Sequence, residues 1–326
     1  MNKFRVFQNV KRKRAVSGFS IRNLGTVLLL LLLLPYIITF FFGNLWEESE
    51  EEAVAAMVNE QIGNGRFYVI NQTSLGDEKI PLEVYVADKL SRISDESWEK
   101  EALKAQAVLI RTNLLQEDET AVYTRDENYG QEKIRADCLS AAAETKGMYL
   151  VRQEKPVEAA YFRVSNGATR NAGEVFEEED FPYLKSVLCS RDFLSPDYNS
   201  SVSYSYSQFE NIWNKIPDDT QKPDREKVKT EELSEFTICR DSVGYVTYIG
   251  HNEKWVTGEQ FRYSYGLQSA SFHIKEEEEE LIITVKGVGH GLGMSQFGAV
   301  EMAKEGASFI EIINYFFNDV TMTKIE

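Results

Sequence analysis

An α+β fold is predicted for the main part of this chain, a single domain in which helices pack on a mixed or antiparallel sheet, preceded by one transmembrane helix. Three observations predict it. Short runs rich in β-branched and aromatic residues outnumber helix-like stretches and do not alternate with them regularly. One long stretch, Trp98 to Leu115, carries Leu103, Ala107, Ile110 and Leu114 at spacings of three and four, the signature of an amphipathic helix packed by one face. The 326 residues are 43% hydrophobic and 12% aromatic, ample for a sizeable core.

The first element is the membrane helix. Lys3, Arg5, Lys11, Arg12, Lys13, Arg14 and Arg22 precede a nearly unbroken apolar run from Leu24 to Phe42, close to the roughly 20 residues that a spanning helix needs. No small-residue cleavage site follows, so an uncleaved anchor is expected. Basic residues lie before the run, and Glu47, Glu48, Glu50, Glu51 and Glu52 lie after it. The positive-inside rule therefore keeps residues 1–23 in the cytoplasm and sends the remainder outside, as a single-pass protein of the cytoplasmic membrane. Residues 43–65 read as an acidic spacer, and the exported domain occupies 66–326.

Within that domain, Arg66 to Asn71 predicts a strand, and Ile80 to Val86 a strand that passes into a helix. After the Trp98–Leu115 helix, strands are predicted over Thr145 to Tyr149, Pro156 to Val164 and Phe181 to Val187. Ser165 to Thr169, SNGAT, is a turn that displays polar groups. Ser195 to Tyr206 is a polar loop or edge strand, and Ile216 to Glu235 a charged surface excursion. Strands resume over Gly244 to Ile249 and Phe261 to Ile274, and the acidic run Glu276 to Glu280 suits a solvated hairpin tip. A short helix over Ile310 to Phe317 and a strand over Val320 to Ile325 close the chain.

The least generic stretch is Gly287 to Ala299, GVGHGLGMSQFGA. Four alternating glycines permit a tight turn that leaves His290 on a loop, with Ser295 placed to cap the helix that follows. Backbone N–H groups, an imidazole, a hydroxyl and the amide of Gln296 converge there, a set able to grip a polar ligand such as a sugar. The formal net charge of −16 argues against nucleic acid as a partner. Cys138, Cys189 and Cys239 are far apart, without CxxC or Cys/His spacing, so they allow at most one disulfide and read mainly as small buried side chains.

LEVYV at Leu82 to Val86, EALKAQAVLIRT at Glu101 to Thr112, ETKGMYL at Glu144 to Leu150, AAYFRVSNGAT at Ala159 to Thr169, PYLKSV at Pro182 to Val187, TGEQFR at Thr257 to Arg262 and the closing glycine motif occur in one order. Together they resemble the stage II sporulation protein D and amidase-enhancer family of bacterial cell-wall proteins. The resemblance implies action on, or binding of, peptidoglycan glycan strands in forespore engulfment or wall remodelling. Members similar to lytic transglycosylases use one glutamate of raised pKa as acid and then as base. It sits eight residues after the tyrosine of the YV element and eight before the EALKAQ helix. Both counts reach Ile93 here. The catalytic glutamate is absent, so impaired cleavage is expected unless Asp95, Glu96 or Glu99 substitutes for it. Enzymatic activity is thus left open, between an active enzyme using a nearby carboxylate and a non-catalytic amidase enhancer or scaffold. Sugar contact is carried over to Ser165, Asn166, Gly167, His290, Ser295 and Gln296. No cofactor and no metal are implied, since the zinc-binding members' histidines and cysteines are represented only by Cys138. The implied partners are glycan strands and a cell-wall amidase or other engulfment proteins, with the membrane engaged by the N-terminal helix.

Overall fold

The computed structural model describes residues 67–325 apart from 75, 117–121, 177–180, 220–228 and 234. The basic tail, the apolar run and the acidic spacer lie outside the described residues. Among the described residues no helix is long and apolar enough to cross a membrane.

The domain opens with β1 (Tyr68–Thr73) and β2 (Gly76–Pro81), an antiparallel hairpin. Pro81, which has no amide proton to extend the ladder, ends the strand and stands at the N-cap of α1 (Leu82–Ile93). After α2 (Lys100–Leu114), β3 (Val122–Thr124) joins β1 in parallel, and α3 (Ala136–Glu144) packs on α1 and α2. Then β4 (Met148–Arg152) pairs with β5 (Lys155–Pro156) on one side and the last strand on the other. A short β6 (Tyr161–Phe162) leads into the SNGAT turn.

The middle of the chain adds β7 (Asn199–Ser205) and α4 (Tyr206–Trp213), whose start is fixed by a capping box between Ser205 and Gln208. β8 (Lys229–Leu233), β9 (Phe236–Arg240), β10 (Val246–His251) and β11 (Lys254–Thr257) form a four-stranded antiparallel sheet in the order β11-β10-β9-β8. α5 (Gly258–Ser264) follows, capped by Thr257 and Gln260. β12 (Phe272–Glu276) and β13 (Glu280–Lys286) form a three-stranded sheet with β7, which lies at its edge. The chain ends through β14 (Met294–Ser295), parallel to β6, then α6 (Gln296–Lys304), α7 (Phe309–Phe316) and β15 (Thr321–Lys324), which returns to β4.

The α+β class and the mixed pairing agree with the sequence, but the strands form several small sheets instead of one. They are short and broken by glycine turns, so no single sheet extends far. Two strand expectations are corrected. Phe181 to Val187 is turn and irregular chain, because Pro182 removes an amide donor and Tyr183 and Leu184 bury without a ladder. Phe261 to Ser264 is helical, because the Thr257 cap starts a helix that buries Phe261 in an aromatic cluster with Tyr265 and Phe272. Lys229–Leu233 is a paired strand within the expected surface excursion. The serine-rich stretch Asn199–Ser205 is an edge strand, and Glu276 to Glu279 stand exposed at a hairpin tip, both as read. All three cysteines are buried free thiols.

The expectation that α2 packs by one face is also corrected. Leu103, Ala107, Ile110 and Leu114 join one core with α1 and α3, while Ala105, Val108 and Leu109 join a second core with β4, α6 and α7. Small alanines let the second face approach closely, and the polar residues between are buried with partners. Arg111, fully buried, donates from Nε to Glu83 Oε1 at 3.0 Å and from NH1 to the Met148 carbonyl at 2.8 Å. Glu83 Oε1 also accepts the Gly147 amide at 2.9 Å, so one ion pair joins α1, α2 and the entry to β4.

Glu83→Ala strands a buried guanidinium and is expected to lose roughly 3–5 kcal/mol of stability in urea denaturation. Asp319→Ala, which removes the exposed Arg152 partner, should cost no more than about 1 kcal/mol. Equal losses would show that the buried pair has no special weight.

Candidate functional site

The glycine motif is the seam on which the candidate site is built. β13 delivers the chain to Gly287, and Val288 exchanges backbone hydrogen bonds with Val164 at 2.7 and 3.0 Å. The Arg170 amide donates to Gly291 O at 2.7 Å, and Met294 donates to Ala160 O at 3.0 Å. A Cβ on Gly293, at φ +76°, would lie 2.0 Å from the Ala160 carbonyl oxygen, so close strand approach requires glycine there. Gly167, at φ +116°, likewise faces the Phe193 ring, which a Cβ would meet at 2.6 Å. The motif therefore lies along residues 160–170 and brings the two sequence-predicted clusters together.

Their polar atoms face inward. The His290 Nε2 lies 3.1 Å from the Tyr161 carbonyl oxygen, and the Leu292 amide donates to Nδ1 at 3.1 Å. A carbonyl only accepts, so the ring is the neutral tautomer protonated at Nε2. Burial pushes its pKa down, against the pull of Glu259. Asn166 donates through Nδ2 to Val243 O and Ser271 Oγ, both at 2.9 Å. Gln296 donates to the buried Gln106 Oε1 of α2 at 3.2 Å. Ser295 caps α6 as read, accepting the Gly298 amide at 3.2 Å.

One residue joins the clusters that sequence reasoning did not single out. Asp192, fully buried in a short 3₁₀ turn, accepts the Ser165 amide at 2.6 Å and the Ser295 hydroxyl at 2.8 Å, both on Oδ2. The SNGAT turn and the GMSQ helix start are thus held by one carboxylate oxygen. Its other oxygen, Oδ1, is buried without a hydrogen-bond partner. Burial raises the Asp192 pKa, opposed by the bonds from Ser165 and Ser295. No spacing rule in the sequence links residue 192 to either motif.

The resemblance assigns the family's acid position to Ile93. Ile93 is the last residue of α1 and packs partly against the first core. The loop beyond it is clamped by Arg135, which donates to Ser94 O at 2.6 Å, Ser94 Oγ at 3.1 Å and Asp95 O at 3.2 Å. Asp95 is exposed and accepts the Ser97 amide at 2.9 Å and the Ser97 hydroxyl, bonds that hold its carboxyl below the ordinary range, helped by Arg135 and Arg163. Glu96 and Glu99 are exposed. Ser91, Ser94, Asp95, Glu96, Glu132 and Arg135 are among the residues lining a groove that shares no lining residue with the cleft at His290. Asp95 and Glu96 do not line the cleft at His290, while Arg163, two residues before Ser165, is close enough to Asp95 to help lower its pKa. Cys138 sits beneath this loop, 3.7 Å from Ser94 Oγ, with its thiol pushed up to about 11 mainly by burial. Among the described residues no group of His, Cys, Asp and Glu side chains is placed to hold a metal ion.

A raised folded-state pKa means that the folded protein holds the Asp192 proton more tightly than the unfolded chain. The contribution is complete below the unfolded value, near 3.8, and is lost as pH rises through the folded value. Melting curves taken from about pH 4 to about pH 8 should therefore show wild type losing stability relative to Asp192→Asn as pH rises. A difference that is flat or of opposite slope would contradict this assignment.

Comparison with known proteins extends the picture to the whole domain. A family model described as SpoIID, Stage II sporulation protein, matches residues 72–152, which span α1, the Ile93 loop, α2 and β4. The chain is 30% identical over 282 residues to Stage II sporulation protein D of Bacillus amyloliquefaciens, covering 76% of each protein. It is 29% identical over 275 residues to the Bacillus subtilis protein of the same name, again covering 76% of each. The Bacillus subtilis amidase enhancer is 25% identical over 275 residues, which cover 70% of this chain and 38% of that protein. With the matched stretch running from the β1 strand through the buried α2 helix, and similarity extending over three quarters of the chain, this protein belongs to the SpoIID family of stage II sporulation proteins.

Proposed function

We propose that this protein binds peptidoglycan glycan strands outside the cytoplasmic membrane without cutting them efficiently, tethered by its N-terminal apolar run. Family membership supports a role related to sporulation and the cell wall. The observation that carries the finer reading is the chemistry of the Ile93 loop. Glycan cleavage without external water needs one carboxyl that is protonated when it meets the leaving oxygen. Ile93 has no proton to give, and Asp95 is held in the ionised form by Ser97. A carboxyl stabilised as an anion is a poor proton donor, which argues against the active-enzyme alternative through Asp95. The groove around the loop still offers hydroxyls, carboxylates and the Arg135 clamp to a polar strand. Sugar contact in this proposal falls to that groove and to exposed edges beside Arg163. Ser165, Asn166, Ser295 and Gln296 support it from inside by fixing the backbone.

A second reading follows from the similarity to the amidase enhancer. In it, the bound strand is presented to a cell-wall amidase, and the domain acts as a scaffold.

The full chain in detergent, incubated with peptide-stripped glycan strands, is expected to pellet with the glycan and release no anhydro-ended fragments. Ile93→Glu, tested in parallel, should release them. Anhydro products from the wild type would overturn the non-cutting reading, and failure to pellet would overturn glycan binding.

A further inference from the structure

A cleft of about 440 Å³ opens beside the glycine motif, apart from the Ile93 groove, and falls within the size range of small-ligand sites. Its walls are apolar. Val175, Phe176, Phe181, Leu184 and Leu292 line it, and Tyr263 stands at its edge. Phe176 and Phe181 meet edge to face with centroids 5.3 Å apart, yet Phe176 is 48% exposed and Tyr263 74% exposed. Two aromatic side chains thus flank the opening with much of their surface uncovered.

The polar end is anionic. Arg170 is already paired with Asp241, Nε to Oδ2 at 2.6 Å, and Arg262 with Glu259 Oε2 at 2.9 Å. His290 is neutral, and its ring nitrogens are both engaged. Glu259 Oε1 is buried without a hydrogen-bond partner, with Arg170 NH1 in ion-pair range at 3.7 Å. Glu158, also in the lining, is exposed. Of the charged residues in the lining, Glu158 and Glu259 outnumber Arg170 by one, and behind them Asp241 pairs with Arg170 and Arg262 with Glu259, so the excess negative charge is that of the exposed Glu158. A buried acceptor oxygen at the end of an apolar, aromatic-walled cleft calls for a ligand with a hydrocarbon body and a cationic donor.

We infer that this cleft binds an aliphatic primary ammonium of the lysine type, its methylene stem against Phe176, Phe181 and Leu292 and its ammonium donating to Glu259 Oε1. A carboxylate ligand would meet the excess negative charge, and a purely apolar one would leave Oε1 desolvated and unpaired. The inference does not rest on glycan binding, since the cleft shares no lining residue with the groove at Ser94 and Asp95.

Calorimetric titration of the full chain in detergent tests it with three probes: Nα-acetyl-lysine methylamide, pentylamine and the neutral Nα-acetyl-norleucine methylamide. Blocked lysine should bind roughly tenfold more tightly than blocked norleucine, the ratio expected of one charge-assisted hydrogen bond worth about 1.4 kcal/mol. Glu259→Gln should abolish that preference while leaving norleucine binding unchanged, and Phe176→Ala should weaken both ligands. Tighter binding of blocked lysine than of pentylamine would assign the ammonium to a peptide, and the reverse to a free amine. Equal binding of lysine and norleucine derivatives, a preference that survives Glu259→Gln, or no binding of either amine would overturn the inference.

Discussion

The domain depends on burying α2 between two cores over most of its length. A helix placed between two cores cannot turn its polar residues to water, so each must find a partner within the protein or leave an expensive unsatisfied group. Arg111 reaches Glu83 and the Met148 carbonyl, and the Thr112 hydroxyl accepts the Leu150 amide at 3.0 Å. Asn113 exchanges two hydrogen bonds with the backbone of Ala159, at 2.8 and 3.1 Å. Gln106 accepts from Gln296 of α6. Each bond fixes a different neighbour, so the position of α2 sets those of α1, β4, the approach to β6 and the start of α6.

The glycine motif and the SNGAT turn extend this frame. Their polar side chains sit mostly inside, joined through Asp192, with the motif backbone pressed against residues 160–170. A stretch with unusual composition invites a reading as a ligand-gripping loop. Here the same glycines, serine and amides are first needed to let two backbones touch and to satisfy the groups that this contact buries.

The Ile93 loop is likewise held through its backbone. Arg135 clamps the loop backbone whatever side chain stands at residue 93, since its bonds go to Ser94 and to the Asp95 carbonyl. The groove's shape therefore comes from the helix end and the arginine, and not from the side chain at residue 93.

Much of the fold was legible in local sequence. The Pro81 break, the apolar spacing of α2, the hairpin at Glu276 to Glu279, the Ser295 cap and the closing helix and strand are all set by residues within a few positions of each other. The absence of a glutamate at residue 93 was also legible, since a count along the chain needs no tertiary contact. The second buried face of α2 was hidden, because Arg111 and Asn113 look solvent-facing until partners from distant segments satisfy them, and Gln106 until its Oε1 meets Gln296, its Nε2 staying buried without a partner. Asp192 was hidden for the same reason: its two hydrogen-bond partners lie 27 and 103 residues away, and nothing near it in sequence announces them. Local propensity and spacing determined the elements, and the resemblance pointed to residue 93. Only the tertiary structure decided which polar groups hold the frame, because that depends on long-range partners and on the cost of burying a polar atom without one.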